Sequence, residues 1–254
     1  QKFDTNVNNS SMAVWWWDNK TNYSYLDFAK QNKVTEIYYY ASTFNDEIAN
    51  FIKSANKKNI KVYWLAGEYE WIENYSLLET KINEFISFQK NYNNLFSGVH
   101  FDIEPHQHPE FENRREELLY KFVDLTYKLK QNYKDLHIEY DIPCWLDDII
   151  DYNGQKKRTF EYVFNNSSAI TVMSYRDSAK KIYDFAKDEI EYAKLTNKKL
   201  TLGVETQNVN DDSITFYEEG KTYMNKELAT LKQMITENFK VAIHHINSWY
   251  ELKN

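Results

Sequence analysis

Three ionisable residues spaced two apart, His100, Asp102 and Glu104, stand in the run Phe96-Ser97-Gly98-Val99-His100-Phe101-Asp102-Ile103-Glu104-Pro105. In an extended chain alternate residues share a face and rise roughly 6.6 Å per pair. The three polar groups therefore point one way, and Val99, Phe101 and Ile103 point the other. One carboxyl beside another disfavours ionisation of both, which makes a carboxylic acid able to give up a proton near neutral pH. The plain alternative is a hydrogen-bonded polar layer in the protein interior, a reading that fits His100 better than Glu104. A further carboxylate, Glu205, closes Leu202-Gly203-Val204-Glu205, where alternation turns it to the same side as Gly203. Glu104 and Glu205 would suit the acid/base and nucleophile of a two-carboxylate hydrolysis if they lay about 5–5.5 Å apart. Equally, Glu205 would suit an ion pair with Arg176. In Ile138-Glu139-Tyr140-Asp141-Ile142, Glu139 and Asp141 share one face, Asp141 nearer the chemistry and Glu139 deeper and structural.

The elements that carry these residues repeat. Eight apolar, β-rich runs occur at Met12–Trp17, Val34–Ala41, Ile60–Ala66, Gly98–Glu104, His137–Pro143, Ala169–Tyr175, Lys199–Glu205 and Val241–Asn247. Helical periodicity fills the gaps over Asp46–Asn56, Leu77–Asn91, Glu112–Gln131, Ala179–Leu195 and Tyr223–Asn238, with Leu118, Leu119, Phe122, Val123, Leu125 and Leu129 on one stripe. Eight strand–helix units without a composition break predict an α/β fold, a single (β/α)8 TIM barrel over residues 12–254, with residues 1–11 as a polar lead without structure of its own. The competing doubly wound sheet would need eight strands in one open layer and a glycine-rich first turn, which is missing. A barrel places chemistry at the carboxyl ends of its strands. Those ends hold Trp17, Tyr40, Asp102, Glu104, Asp141, Trp145, Tyr175, Arg176, Glu205, Asn247 and Trp249.

Composition narrows the function classes. The 254 residues carry 31 Lys+Arg against 38 Asp+Glu, a net charge of −7, which argues against a nucleic-acid partner. Only 5 Gly and 3 Pro occur, no phosphate-cradling glycine motif exists, and few loops can rely on glycine. The βα connections must then be helical or braced by side chains. A single Cys144 rules out an internal disulfide and cysteine-rich zinc sites. No apolar run is long enough to span a membrane. Gln1 and the polar stretch through Ser11 read as a trimmed start, which suits a secreted or cell-surface protein. The 7 Trp, 21 Tyr and 15 Phe are in excess. Those at strand ends (Trp17, Tyr40, Trp145, Tyr175, Trp249) offer flat faces with polar edges, as a pyranose ring needs. A carbohydrate cleft lined with carboxylates accounts for both excesses.

Ser97-Gly98-Val99-His100-Phe101-Asp102-Ile103-Glu104 resembles the D-G-x-D-x-D-x-E strand of the family 18 glycoside hydrolases, with Ser97 and His100 at its first two Asp positions. The resemblance implies that Glu104 is the general acid and that Asp102 orients the substrate's acetamido group, which itself attacks the anomeric carbon. Met173-Ser174-Tyr175 is similar to the family's M-x-Y, whose Tyr supports the acetamido intermediate, and Trp249 to its sugar-flooring Trp. The whole chain also resembles a little-characterised group of bacterial barrel proteins with G-V-H-x-D-I-E-P, M-S-Y-R-D, G-V-E-T and H-H-x-x-S-W segments. These stand at Gly98–Pro105, Met173–Asp177, Gly203–Thr206 and His244–Trp249.

The expected function is thus a glycoside hydrolase cleaving a glycan that contains N-acetylhexosamine. Glu104, Asp102, Glu205 and Tyr175 are its catalytic residues, and Asp141, Arg176, Trp249, Trp17, Tyr40, Trp145 and Asn247 its substrate contacts. No cofactor is implied. The substituted Ser97 and His100 favour a second class, a barrel that holds glycan without cutting it. A third class, a metal-dependent hydrolase, would draw on His100, Asp102, His106, His108, Asp141, His244 and His245, but the first strand carries Trp15-Trp16-Trp17 where H-x-H would be needed.

Overall fold

The computed structural model describes residues 11–254, so the polar lead expected over residues 1–11 lies outside it apart from Ser11, which is buried ahead of the first strand. In chain order the described strands are β1 (Met12–Trp16), β2 (Val34–Tyr40), β3 (Lys61–Ala66), β4 (Gly98–Phe101), β5 (Ile138–Pro143), β6 (Ile149–Tyr152), β7 (Gln155–Arg158), β8 (Ala169–Met173), β9 (Lys199–Glu205) and β10 (Lys240–His244). The helices are α1 (Tyr23–Gln31), α2 (Asp46–Lys57), α3 (Tyr75–Asn91), α4 (Arg115–Asn132), α5 (Thr159–Asn165), α6 (Ala179–Thr196), α7 (Lys221–Met234) and α8 (Ile246–Glu251). Eight parallel strands close in the order β1-β10-β9-β8-β5-β4-β3-β2. Closure decides against an open sheet.

Strand alternation sorts the aromatics into two layers. Trp16 and Tyr39 pack outward, under the helices and against Phe51. Trp15, Tyr38 and Tyr63, aligned across β1, β2 and β3, fill the interior with Ala13, Leu65 and Ala242. Trp17 and Tyr40 lie half-buried on top of that inner cluster. The helices follow their sequence cues. Asn45 caps α2 by accepting from the Ile48 N–H at 3.0 Å, and the stripe predicted on α4 is buried as expected.

Glycine scarcity is met in two ways. Among the described residues, six of the seven non-glycine residues with positive φ are Asn (Asn19, Asn59, Asn93, Asn94, Asn153 and Asn197), the side chain that best tolerates that region. Short 3-10 turns, Tyr69–Ile72, Pro105–Gln107 and Asp212–Ile214, brace the loops after β3, β4 and β9. The sequence reading did not find the β6–β7 hairpin inserted between β5 and α5. Its Asn153-Gly154 turn has φ of 53° and 81°, the pair of positive values a two-residue hairpin turn needs.

Two glycines shape the site. β4 leaves the ladder at Phe101, three residues before its expected end. The turn is possible because a Cβ on Gly67 would meet the Asp102 carbonyl oxygen at 1.7 Å. On β9, a Cβ on Gly203 would come within 2.7 Å of the Trp15 ring. Trp15 cannot easily yield, because its indole N–H is held by Asp141 at 2.8 Å. Gly203→Ala should therefore cost about 1–3 kcal/mol in urea unfolding; a midpoint unchanged from the parent would show that the Trp15 ring is free to move.

Candidate active site

The site starts from a buried cation. His100 is fully buried on β4, its Nδ1 2.8 Å from Glu139 and its Nε2 2.5 Å from Asp141, both on β5. The Tyr38 ring stacks on it at 3.6 Å. Burial alone would lower the His100 pKa, but the charge of Asp141 and the hydrogen bonds to both carboxylates raise it to about 10. His100 is thus an imidazolium across the physiological range. The stability it contributes is complete below its unfolded pKa near 6.5 and lost as pH rises through about 10. Against the cost of burial, hydrogen bonds from His100 and His137 hold Glu139 down at about 2, so its contribution is present above 4.5 and lost as pH falls through about 2. Asp141 takes its second hydrogen bond from Trp15.

Above this layer two carboxyls go the opposite way. Burial, then the charges of Asp141 and Glu104, push Asp102 well above the usual carboxylate range. Its Oδ1 is buried without a hydrogen-bond partner. Burial and the Asp141 charge raise Glu104 to about 7, against a smaller opposing effect of His244. Glu104 accepts from the Gln107 amide at 2.7 Å and lies 3.5 Å from His106 Nε2. Burial lowers the His106 pKa. Glu104 keeps about a fifth of its side chain exposed, so it is a carboxylic acid with access to the mouth.

Glu205 behaves differently. It faces the interior of the barrel rim, but Arg176 lies over the Phe185 ring at 3.9 Å, so the expected Glu205–Arg176 ion pair does not form. Instead, the two Glu205 oxygens take the backbone N–H groups of Thr206 and Gln207 at 2.9 and 3.0 Å, and His244 Nδ1 at 3.1 Å. Burial works to raise Glu205, but these partners outweigh it and hold its pKa below the ordinary value. Tyr175 packs against Trp15 and His244. Burial first, then the charges of Glu205, Asp141, Asp102 and Glu104, push its phenol well above 10. It therefore keeps its proton, within the electrostatic reach of these four carboxyls.

The remaining expected contacts scatter. Trp17 and Tyr40 meet at 5.9 Å on the mouth. Trp145 stands beside His106 at 5.1 Å, with Arg115 over its ring, on the rim next to Glu104. Asn247 donates to Asp18 at 2.9 Å, tying the first turn of α8 to the β1 loop. Trp249 departs from expectation: it is buried in the helix layer against Phe28 and lines a cavity with Met12, Lys33 and Leu228, at the amino ends of the strands. Helical periodicity in α8 is the reason, since Ile246 and Trp249 share the face that packs inward. Trp15 and Gln107 were not read as site residues, and His244 was weighed only as a metal ligand, although its place at the end of β10 carried the signal. Among the described residues no three His, Cys, Asp or Glu side chains converge so as to hold a metal ion.

No family model matches the sequence, nor does any curated protein. Solved structures do share the fold. A chitinase from Bacteroides thetaiotaomicron superposes with a TM-score of 0.60 at 14% identity over 94% of this chain and 90% of its own. An endo-beta-N-acetylglucosaminidase from Cordyceps militaris gives 0.57 at 11% identity over 93% and 81%. A family 18 chitinase from Flavobacterium johnsoniae gives 0.50 at 17% identity over 93% and 88%. The barrel is thus a remote likeness of the family 18 barrels in fold.

Removing the buried cation tests the layer beneath the mouth. His100→Gln leaves two carboxylates facing each other without a counter-charge, at an expected cost of about 3–5 kcal/mol at pH 7. The deficit should shrink toward pH 4 as the variant's carboxylates take up protons. A loss under about 1 kcal/mol at pH 7 would mean that His100 carries no charge.

Proposed function

We propose that this barrel is a glycoside hydrolase cleaving a glycan that contains N-acetylhexosamine, with Glu104 as the proton donor. The observation that carries the reading is the split among the mouth carboxyls: Glu104 and Asp102 are pushed toward the protonated form while Glu205 is held ionised. Such a separation assigns acid and anion roles within one site.

Protonated Glu104 gives its proton to the glycosidic oxygen as the bond to the anomeric carbon breaks. The substrate's acetamido oxygen attacks that carbon and closes a ring. Asp102, with an unpartnered buried oxygen, and the Tyr175 phenol are the groups suited to hold the acetamido group in place. Positive charge develops near Asp141, whose charge favours it. Water then opens the ring while Glu104, now a carboxylate, takes the proton back. The glycosidase neighbours in fold favour the same class, as their descriptions include chitinases and an endo-beta-N-acetylglucosaminidase.

A second reading is favoured by Ser97 and His100, which replace two Asp residues of the strand-four pattern: a barrel that binds glycan without cleaving it. One experiment separates the two. With N-acetylglucosamine oligomers, the parent should release new reducing ends, a thiazoline mimic of the closed acetamido ring should inhibit, and Glu104→Gln should lose about 10²–10⁴-fold in kcat while remaining folded. Binding of the oligomers by parent and variant alike, with no cleavage by either, would establish the binding reading. The proton donor also fixes a pH profile. kcat/KM should fall as pH rises through about 7, where Glu104 loses its proton; a rate flat from pH 6 to pH 9 would remove Glu104 from that role.

A further inference from the structure

Glu205, His244 and Trp17 are joined across the three strands that close the barrel. Glu205 and His244 are direct register partners on β9 and β10, and β10 pairs with β1, which leads into Trp17. His244 Nδ1 lies 3.1 Å from both Glu205 oxygens, and its Nε2 lies 3.1 Å from Trp17 Nε1. An indole N–H can only donate, so His244 Nε2 accepts from Trp17 and Nδ1 carries the proton that it gives to Glu205. The chain runs from Trp17 to His244 to Glu205, with the Gln207 amide beside Nδ1 at 3.2 Å. The backbone around His244 is pinned as well, since the Thr206 N–H and hydroxyl both donate to the His244 carbonyl at 2.8 Å.

Two consequences follow from this geometry. A nucleophilic carboxylate needs an uncommitted lone pair aimed at the reacting carbon, whereas Glu205 is 5% exposed and both its oxygens are claimed by backbone N–H groups, His244 and Gln207. A stacking platform, in contrast, needs a flat ring held at a fixed tilt at the mouth. Trp249, the tryptophan that sequence offered for that place, is buried at the other end of the barrel. Trp17 sits at the mouth, half-buried on the inner aromatic cluster, with Tyr40 beside it at 5.9 Å.

We infer that Glu205 is a positioning residue rather than a nucleophile, and that through His244 it holds the Trp17 indole as the platform on which a pyranose ring stacks. The inference rests on the glycan reading of the site, and its tests separate the two. Trp17→Ala should weaken binding of N-acetylglucosamine tetramer at least tenfold, and Trp17→Phe, which keeps a flat face but loses the N–H that His244 holds, should restore only part of it. His244→Phe and Glu205→Gln should move the ¹⁵N-detected indole N–H signal of Trp17, which reports the chain without any turnover. In Glu205→Gln, KM should rise while kcat keeps at least a tenth of the parent value, and added azide should not rescue the rate or yield a glycosyl azide.

Loss of kcat by a thousandfold with azide rescue would make Glu205 the nucleophile and overturn the inference. Tetramer binding unchanged in Trp17→Ala, or an indole signal unmoved by His244→Phe, would overturn it too. Binding without cleavage by the parent removes the hydrolase reading alone and leaves the platform to be judged by the binding and indole results. A parent that binds no oligosaccharide overturns both.

Discussion

The imidazolium of His100, clamped between Glu139 and Asp141 beneath the mouth, is the interaction on which the rest of the site depends. Two carboxylates buried side by side cannot both ionise without a counter-charge. His100 supplies it, and the flat face of Tyr38 seals it from water. Asp141, which His100 and Trp15 hold between them, is the neighbour whose charge, after burial, raises both Asp102 and Glu104. The acid at the mouth is therefore set from the floor. Trp15 is part of the same arrangement: its N–H takes the other Asp141 oxygen, and only the bare Gly203 leaves room for its ring.

This arrangement gives the substituted strand-four motif a physical meaning. Where the family pattern has a second Asp, His100 faces a Glu and an Asp that come from β5. A histidine there changes the sign of the charge beneath Asp102, and His100 accordingly works against the rise in the Asp102 pKa. Burial and the neighbouring carboxyls outweigh that one cation, so the Asp102 pKa still stands well above the usual carboxylate range. The mouth thus carries raised carboxyls, Asp102 and Glu104, on the β4 side and a lowered one, Glu205, on the β9 side.

Much of the fold was legible because alternation and helical period are strong signals in this chain. All eight barrel strands were found, and the alternation within Trp15-Trp16-Trp17 and Tyr38-Tyr39-Tyr40 turns Trp16 and Tyr39 outward under the helices. The hairpin was missed although Asn153-Gly154 carried its turn, since four-residue strands such as Gln155–Arg158 are too polar to stand out. In the site, inward-facing residues on strands were placeable from parity alone. Residues past the strand ends were not. Trp249 was assigned as if the strand continued, but α8 begins at Ile246 and turns it into the helix layer. The partner of Glu205 was likewise beyond sequence reasoning, because the choice between Arg176 and His244 depends on which neighbouring strand delivers its side chain to the rim. The barrel register decides it by setting His244 opposite Glu205.

The central claim is that His100 is a buried cation that pairs Glu139 and Asp141 beneath the mouth. The most direct test is a titration of its ring by ¹⁵N-histidine NMR. Both ring nitrogens should keep the imidazolium signature from pH 5 through pH 9 and lose it only near 10. A His100 ring that loses its proton near the unperturbed value of about 6.5 would contradict the account.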